Sequence, residues 1–281
     1  MRILITGATG LIGSHLLRQD NYYTKAGTYN TNRLVPAVYS EFIKCDITKE
    51  NDVYLAFESF KPDIVIHTAA KASPDWCSKN PEESNNVNVM GSKYIIRQCR
   101  ETNTKLVFIS SNAIYNGEGA PYNEESEINP NDLYGEQKAV IEEEIKKSKI
   151  DYIIIRSMCV YGWNNPYERK NFTTLLVEKM MKGESMEVTD DLYCNFIYVK
   201  DLCRIMWGAI EGEWNQTYNA SGNECLTHWD YTKKVNKIFK FNNHIKSVES
   251  KNLKGYIKRP NNTCFINDKV EKVLGISPQS I

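Results

Sequence analysis

Tyr134 and Lys138 stand four residues apart in Tyr134-Gly135-Glu136-Gln137-Lys138, and an i, i+4 pair shares one face of a helix. Such pairs arise often by chance, so this one takes its meaning from position. One loop earlier the apolar run Leu106-Val107-Phe108-Ile109 closes on Ser110-Ser111, a strand ending in hydroxyls. A serine, a tyrosine and a lysine brought together can protonate a carbonyl oxygen. Ser111 would hydrogen-bond the oxygen, Tyr134 would deliver the proton, and Lys138 would lower the tyrosine pKa by its charge while gripping the ribose of a nicotinamide. The cation is required because an unperturbed tyrosine, with a pKa of about 10, is a poor acid–base catalyst at neutral pH. The alternative is a surface Tyr/Lys pair on an amphipathic helix.

A second constellation lies at the start of the chain. Thr6-Gly7-Ala8-Thr9-Gly10-Leu11-Ile12-Gly13 follows the first predicted strand at once and opens the first predicted helix, the placement a pyrophosphate site requires. Gly7 suits the tight turn, Gly10 the approach of backbone N–H groups to phosphate, and Gly13 close packing of helix on strand, with Thr9, Leu11 and Ile12 completing the loop. The alternative is a purely structural strand-to-helix turn. The second strand runs into Gly27-Thr28-Tyr29-Asn30-Thr31-Asn32-Arg33, which has no carboxylate for a ribose 2′-hydroxyl and an arginine suited to a 2′-phosphate. NADPH is therefore the expected cofactor, with NADH the alternative, and Asn30 and Arg33 are candidate contacts. Arg33 can equally be a solvated loop residue. Asp46, followed by Ile47, either accepts from the adenine amino group or caps the next helix.

The elements that must position these groups alternate. Strands are predicted over 3–6, 27–29, 42–45, 63–68, 105–110 and 152–156, and helices over 11–19, 51–60, 82–102 and 133–147. Continuous apolar runs such as Ile64-Val65-Ile66 and Ile153-Ile154-Ile155 suit strands buried on both faces. The fold class is α/β, a doubly wound parallel sheet of the Rossmann type. Beyond about residue 160 the rhythm loosens into a loop over 163–166, helices over 173–182, 201–212, 227–239 and 267–274, and a short strand over 186–189. Thr227 is a candidate N-cap and Gly275 a stop. Residues 1–160 are thus expected to bind the cofactor. Residues 161–281 should form mainly a smaller substrate-binding subdomain, with some segments returning to the sheet.

Composition narrows the function classes. The 35 Lys and Arg balance 35 Asp and Glu with no long run of one sign, which disfavours a nucleic-acid or anionic-membrane partner. No apolar run approaches the roughly 18 residues of a membrane span, and the first residues show neither a basic stretch nor a cleavage site, so a cytoplasmic protein is expected. The 8 cysteines, at positions 45, 77, 99, 159, 194, 203, 225 and 264, contain no C-x-x-C and sit largely in apolar runs; all are read as reduced. The 4 histidines show no helical metal-site spacing, and no metal is expected.

With these residues in view, the chain resembles an extended short-chain dehydrogenase/reductase over nearly its whole length. The glycine loop, His67-Thr68-Ala69-Ala70, Ser110-Ser111, Tyr134 with Lys138, and Arg156-Ser157-Met158-Cys159-Val160-Tyr161-Gly162 fall in that family's order. The C-terminal half most resembles dTDP-4-dehydrorhamnose reductases in Phe196-Ile197-Tyr198-Val199-Lys200-Asp201-Leu202, Thr217-Tyr218-Asn219-Ala220-Ser221-Gly222 and Arg259-Pro260-Asn261-Asn262-Thr263. The resemblance implies NADPH-dependent reduction of the 4-keto group of a nucleotide-linked 4-keto-6-deoxy sugar. It places Ala69, Ala70 and Lys71 along the cofactor, and it implies a homodimer as the common assembly. Candidate substrate contacts are Ser111, Asn112, Cys159, Trp163 and Arg259. The arginine suits either a nucleotide pyrophosphate or an ordinary salt bridge. Trp163, Tyr167 and Phe172 form either a substrate lid or packing.

The pattern also departs from the family. Many of those reductases carry Gly-Gln-Leu-Gly in the phosphate loop and a tryptophan where this chain has Cys159. Asn112 and Ala113 stand where related dehydratases carry an Asp-Glu pair, which disfavours dehydration. An NAD-dependent sugar-nucleotide epimerase is the alternative enzyme. From another class, a non-catalytic nucleotide-binding regulatory subunit shares the fold.

Overall fold

Ile64-Val65-Ile66 and Ile153-Ile154-Ile155 are each at most 1% exposed, and both runs become inner strands of one parallel sheet. The computed structural model describes residues 1–19, 22–31, 41–165, 168–253 and 258–281. Its first half runs β1 (Arg2–Thr6), α1 (Leu11–Arg18), β2 (Thr24–Tyr29), β3 (Glu41–Lys44), α2 (Glu50–Phe60), β4 (Ile64–His67), α3 (Pro74–Lys79) and α4 (Pro81–Asn85). It continues with α5 (Ser92–Thr102), β5 (Lys105–Ser111), α6 (Leu133–Lys147) and β6 (Tyr152–Ser157). The second half adds β7 (Val160–Tyr161), α7 (Phe172–Met181), β8 (Met186–Thr189), β9 (Tyr193–Cys194), β10 (Ile197–Tyr198) and α8 (Val199–Glu211). It ends with β11 (Gln216–Ala220), β12 (Leu226–Thr227), α9 (His228–Ile238), β13 (Ile245–Val248) and α10 (Asp268–Leu274).

The main sheet has 7 strands in the order β11-β6-β5-β4-β1-β2-β3, and every pairing is parallel. The strand order reverses between β1 and β4, so the two βα turns there open a crevice at the carboxyl edge where such sheets bind ligands. Helices α1 and α8 cover one face and α2, α5 and α6 the other, each over its own apolar cluster. A third cluster packs α7, α9 and the short strands of the second half against Ile114, Tyr115, Tyr122 and Met158. β11 crosses from that half to complete the sheet beside β6. Thr227 caps α9 by accepting from the Asp230 N–H at 2.9 Å, and Gly275 ends α10 at φ 65°. Among the described residues no helix is long and apolar enough to cross a membrane.

Two expectations are corrected. The single helix predicted over 82–102 is interrupted: a widened π-type turn, Asn86–Gly91, separates α4 from α5. Its close fit has a steric reason, since a Cβ on Gly91 would meet Ile47 Cδ1 at 2.9 Å. The cysteines are also not all free, because Cys225 and Cys264 form a disulfide. Leu226 pairs with Cys194, and Asn262 bridges to Tyr193, so the segments carrying the two thiols flank β9. A separation of 39 residues in sequence gives no hint of that neighbourhood.

Candidate active site

The glycine loop leaves β1 at Thr6 with Gly7 at φ 65°, a left-handed conformation that glycine adopts without a Cβ penalty. A Cβ on Gly7 would lie 2.8 Å from Ala69, and one on Gly13 would lie 2.5 Å from the Gly7 carbonyl. The loop is thus seated directly against the 69–71 segment that leaves β4. Gly10 is the N-cap of α1; no side chain caps it and no acidic residue occupies the first turn. An open helix N-terminus of this kind presents N–H groups and a positive dipole end to an anion. Further along the edge, Asn30, Thr31, Lys44, Asp46 and Lys49 line a cleft of about 630 Å³. Arg33 lies outside the described residues. Asp46 Oδ1 accepts from the Thr48 N–H and hydroxyl at 3.1 and 2.8 Å, which serves the turn into α2. Ile47 is 6% exposed and belongs to the α2–α5 core.

The acid–base candidates converge on the same edge. Ser111 ends β5 opposite Ser157 of β6, and its Oγ accepts from the Ala113 N–H at 3.2 Å. Asp132 caps α6 by accepting from the Gly135 N–H at 2.8 Å, which fixes the helix that carries Tyr134 and Lys138. Both side chains are buried. Lys138 Nζ donates to the Ile109 carbonyl at 2.7 Å and lies 4.5 Å over the Phe108 ring, and burial pulls its pKa down to about 8. The expectation that Lys138 lowers the Tyr134 pKa is not met in this geometry. Burial pushes the phenol well up, opposed by a hydrogen bond with Ser111 and by the charge of Arg169. Lys138 donates one of its three N–H groups to a backbone carbonyl, with its Nζ 5.8 Å from the Tyr134 ring centre.

Several supporting residues had no role assigned from the sequence, His67 among them although it stands in the family-like His67-Thr68-Ala69-Ala70 run. His67 bridges Thr6 Oγ1 at 2.7 Å and Ser92 Oγ at 3.0 Å; burial and the nearby Lys138 charge lower its pKa to about 3, so it is neutral. Asn88, in the widened turn, donates to Gln137 Oε1 at 2.8 Å and accepts from the Lys71 N–H at 2.8 Å. Arg169 donates to the Ala72 carbonyl at 3.1 Å.

The candidate substrate residues divide. Asn112 Nδ2 donates to Thr263 Oγ1 at 2.8 Å, tying the end of β5 to the C-terminal segment. Arg259 pairs with Asp75 at 2.8 Å on partly exposed side chains. Trp163 is 60% exposed and packs edge-on to Phe239, whereas Phe172 packs against Phe196, His228 and Tyr231; Tyr167 lies outside the described residues. Cys159 is not isolated. Although no histidine has helical metal-site spacing, Cys159 from the turn after β6, Cys194 from β9 and His228 from α9 gather together, a juxtaposition that spacing within one helix cannot reveal.

A doubly wound parallel sheet with an uncapped glycine turn after β1 and a Ser/Tyr/Lys set at its carboxyl edge defines an extended short-chain dehydrogenase/reductase fold. The match is more specific than the class. Residues 1–281 match the family described as RmlD substrate binding domain, and the chain belongs to it. It is 25% identical over 99% of its length to methionine adenosyltransferase 2 subunit beta of Bos taurus, covering 84% of that protein. It is 29% identical to the spore coat polysaccharide biosynthesis protein SpsK of Bacillus subtilis, over 72% of this chain and 66% of that one. Among solved structures, dTDP-4-dehydrorhamnose reductase of Bacillus anthracis in complex with NADP superposes with a TM-score of 0.85 at 22% identity, covering 99% of this chain and 95% of that one. UDP-glucose 4-epimerase of Thermotoga maritima superposes with a TM-score of 0.90 at 23% identity, covering 100% and 94%. At these identities the two superpositions establish the shared fold.

Proposed function

We propose that this protein is an NADPH-dependent reductase of the 4-keto group of a nucleotide-linked 4-keto-6-deoxy sugar, serving deoxysugar or polysaccharide biosynthesis. The observation that carries the reading is the convergence of Ser111, Tyr134 and Lys138 at the carboxyl edge of the sheet. A module that only binds nucleotide has no need of this acid–base set. The name of the spore coat polysaccharide relative agrees with the proposed setting.

The residues present fit a dinucleotide. The first turn of α1 would hold the pyrophosphate, the cleft bearing Asn30 and Lys44 the adenosine end, and the 69–71 segment the stretch towards the ribose. NADPH, when bound, supplies the hydride. Tyr134 donates its phenolic proton to the sugar oxygen as negative charge builds there; burial keeps the phenol protonated across neutral pH but makes it the weaker acid, so the reaction relies on its position. The Ser111 hydroxyl donates a hydrogen bond to the same oxygen. Lys138 supplies positive charge beneath the site and a donor to the ribose hydroxyls.

A second reading is favoured by the likeness over 99% of the chain to methionine adenosyltransferase 2 subunit beta: a nucleotide-binding subunit of a larger assembly. An NAD-dependent sugar-nucleotide epimerase is the further alternative. The deciding experiment follows consumption of NADPH and NADH against dTDP-, UDP- and GDP-linked 4-keto-6-deoxy sugars generated in place by dehydratases. Oxidation with one sugar establishes the reductase and names cofactor and base. Silence across the panel with tight cofactor binding supports a subunit, and NAD released from the purified protein supports an epimerase.

A further inference from the structure

Three side chains outside the Ser111, Tyr134 and Lys138 set meet where the C-terminal subdomain faces the sheet edge. Cys159 follows β6, Cys194 closes β9 and His228 opens α9, and one ligating atom of each lies within 4.8 Å of the others. In tetrahedral zinc coordination the metal stands about 2.3 Å from sulfur and about 2.0 Å from nitrogen, which separates the ligand atoms by roughly 3.5–3.8 Å. Separations of up to 4.8 Å exceed those distances by at most about 1.3 Å.

The surroundings are those of a built ligand set. His228 Nδ1 donates to the Leu192 carbonyl at 3.1 Å, which leaves the lone pair on Nε2 and supplies the outer hydrogen bond that metal-bound imidazoles use. The ring is wedged edge-on by Phe172 at 5.0 Å and Phe196 at 5.5 Å. Cys194 is buried, with its sulfur within 4.8 Å of that of Cys159. Cys159 is held at φ 42°, a left-handed conformation unfavourable for a non-glycine residue that the surrounding fold must impose. The positive charge of Arg259 near His228 is opposed by Asp191, and Arg259 itself pairs with Asp75.

We propose that Cys159, Cys194 and His228 bind one thiophilic divalent cation of the zinc class through two thiolates and an imidazole, leaving a fourth position for water or a ligand oxygen. Binding releases the two thiol protons to solvent, and the two thiolates neutralise the cation. Three protein ligands and one open position is the pattern of reactive rather than closed structural zinc sites.

The test uses the full-length reduced protein and Co²⁺, whose thiolate charge-transfer and tetrahedral ligand-field absorptions report coordination directly. The expected result is saturation at one equivalent, displacement by Zn²⁺, and loss of the bands in Cys159→Ser, Cys194→Ser and His228→Asn. The bands should persist in Cys225→Ser, which lacks the disulfide. Alkylation mapping of the wild type with and without Zn²⁺ needs no variant, and Zn²⁺ should protect Cys159 and Cys194 at least tenfold. Absence of the bands in the wild type, equal alkylation in both samples, or bands that survive Cys159→Ser would overturn the proposal. So would a Cys159–Cys194 disulfide whose reduction restores no cobalt uptake.

Discussion

Asn88 and Gln137, 49 residues apart, are joined by a 2.8 Å hydrogen bond that locks the widened turn before α5 to the helix bearing Tyr134 and Lys138. The same Asn88 side chain accepts from Lys71 N–H, and Gln137 passes the connection on to Ser84 Oγ at 2.9 Å. One amide therefore sets the spacing between the candidate cofactor segment and the candidate acid–base set. Asn88→Ala leaves Gln137 Oε1 and the Lys71 N–H short of partners, each costing about 1–3 kcal/mol where buried. The expected outcome is a lower Tm together with a several-fold higher cofactor Kd in a fluorescence titration. A lower Tm with an unchanged Kd would show that the network serves the fold alone.

Tyr134→Phe removes the proposed proton donor and leaves a ring of the same shape in the same buried place. Cofactor Kd should stay within about twofold, while kcat for ketone reduction falls by about 10²–10⁴, the usual contribution of a positioned acid. Stopped-flow and steady-state rates check this. Unchanged turnover would remove Tyr134 from the mechanism.

Lys138 sets the alkaline limit. Its pKa is lowered to about 8 by burial, so kcat/KM should decline as pH rises through that value, while Tyr134, shifted the other way, keeps its proton. For stability the sign reverses. The folded protein sheds this proton before the unfolded chain, whose lysine titrates near 10.5, so Lys138 adds stability as pH climbs from about 8 towards 10.5. Lys138→Arg keeps its charge at every pH of interest and should flatten the decline in the pH profile.

Legibility in the sequence divided along physical lines. The strands announced themselves because both faces are buried, as in Ile153-Ile154-Ile155, and Thr227 and Gly275 marked helix ends by local chemistry that needs no partner. The placement of Ser111 at a strand end and of Tyr134 and Lys138 on one helix was legible because an apolar run, a loop and an i, i+4 spacing are local features. What stayed hidden depends on contacts between distant segments. Asn88 looks like an ordinary polar residue until Gln137 meets it, the contact between His67 and Ser92 is invisible in the His67-Thr68-Ala69-Ala70 run, and the Cys225–Cys264 pair exists only because two segments flank β9. The direction of the Tyr134 shift was hidden for the same reason, since burial is a property of the assembled core.

His67 should shape the acid limb of stability. Held neutral between Thr6 and Ser92 with a pKa near 3, against an ordinary value of 6.5, it takes no proton in the folded state while the unfolded chain does. Its contribution is full above 6.5 and is lost as pH falls towards 3, at about 1.4 kcal/mol per pH unit within that window for one proton. Comparing urea midpoints of the wild type and His67→Asn from pH 7 to pH 4 isolates the effect, and parallel curves would refute it.

Glu142 couples the core to the chemistry. It is fully buried on α6, accepts from Arg156 Nε and Nη2 at 3.1 and 2.7 Å, and leaves Arg156 Nη1 to the Tyr115 hydroxyl at 2.8 Å. Removing one partner of a buried pair strands the other charge, so Glu142→Gln should cost up to about 3–5 kcal/mol of unfolding free energy. The same carboxylate opposes the burial effect on Lys138, one turn away on the helix. Neutralising it should therefore move the alkaline decline of kcat/KM to lower pH, a change that loss of packing alone does not produce. Destabilisation with an unmoved pH profile would confine Glu142 to the fold, whereas both effects together would make the buried pair the link between the core and the charge state beneath Tyr134.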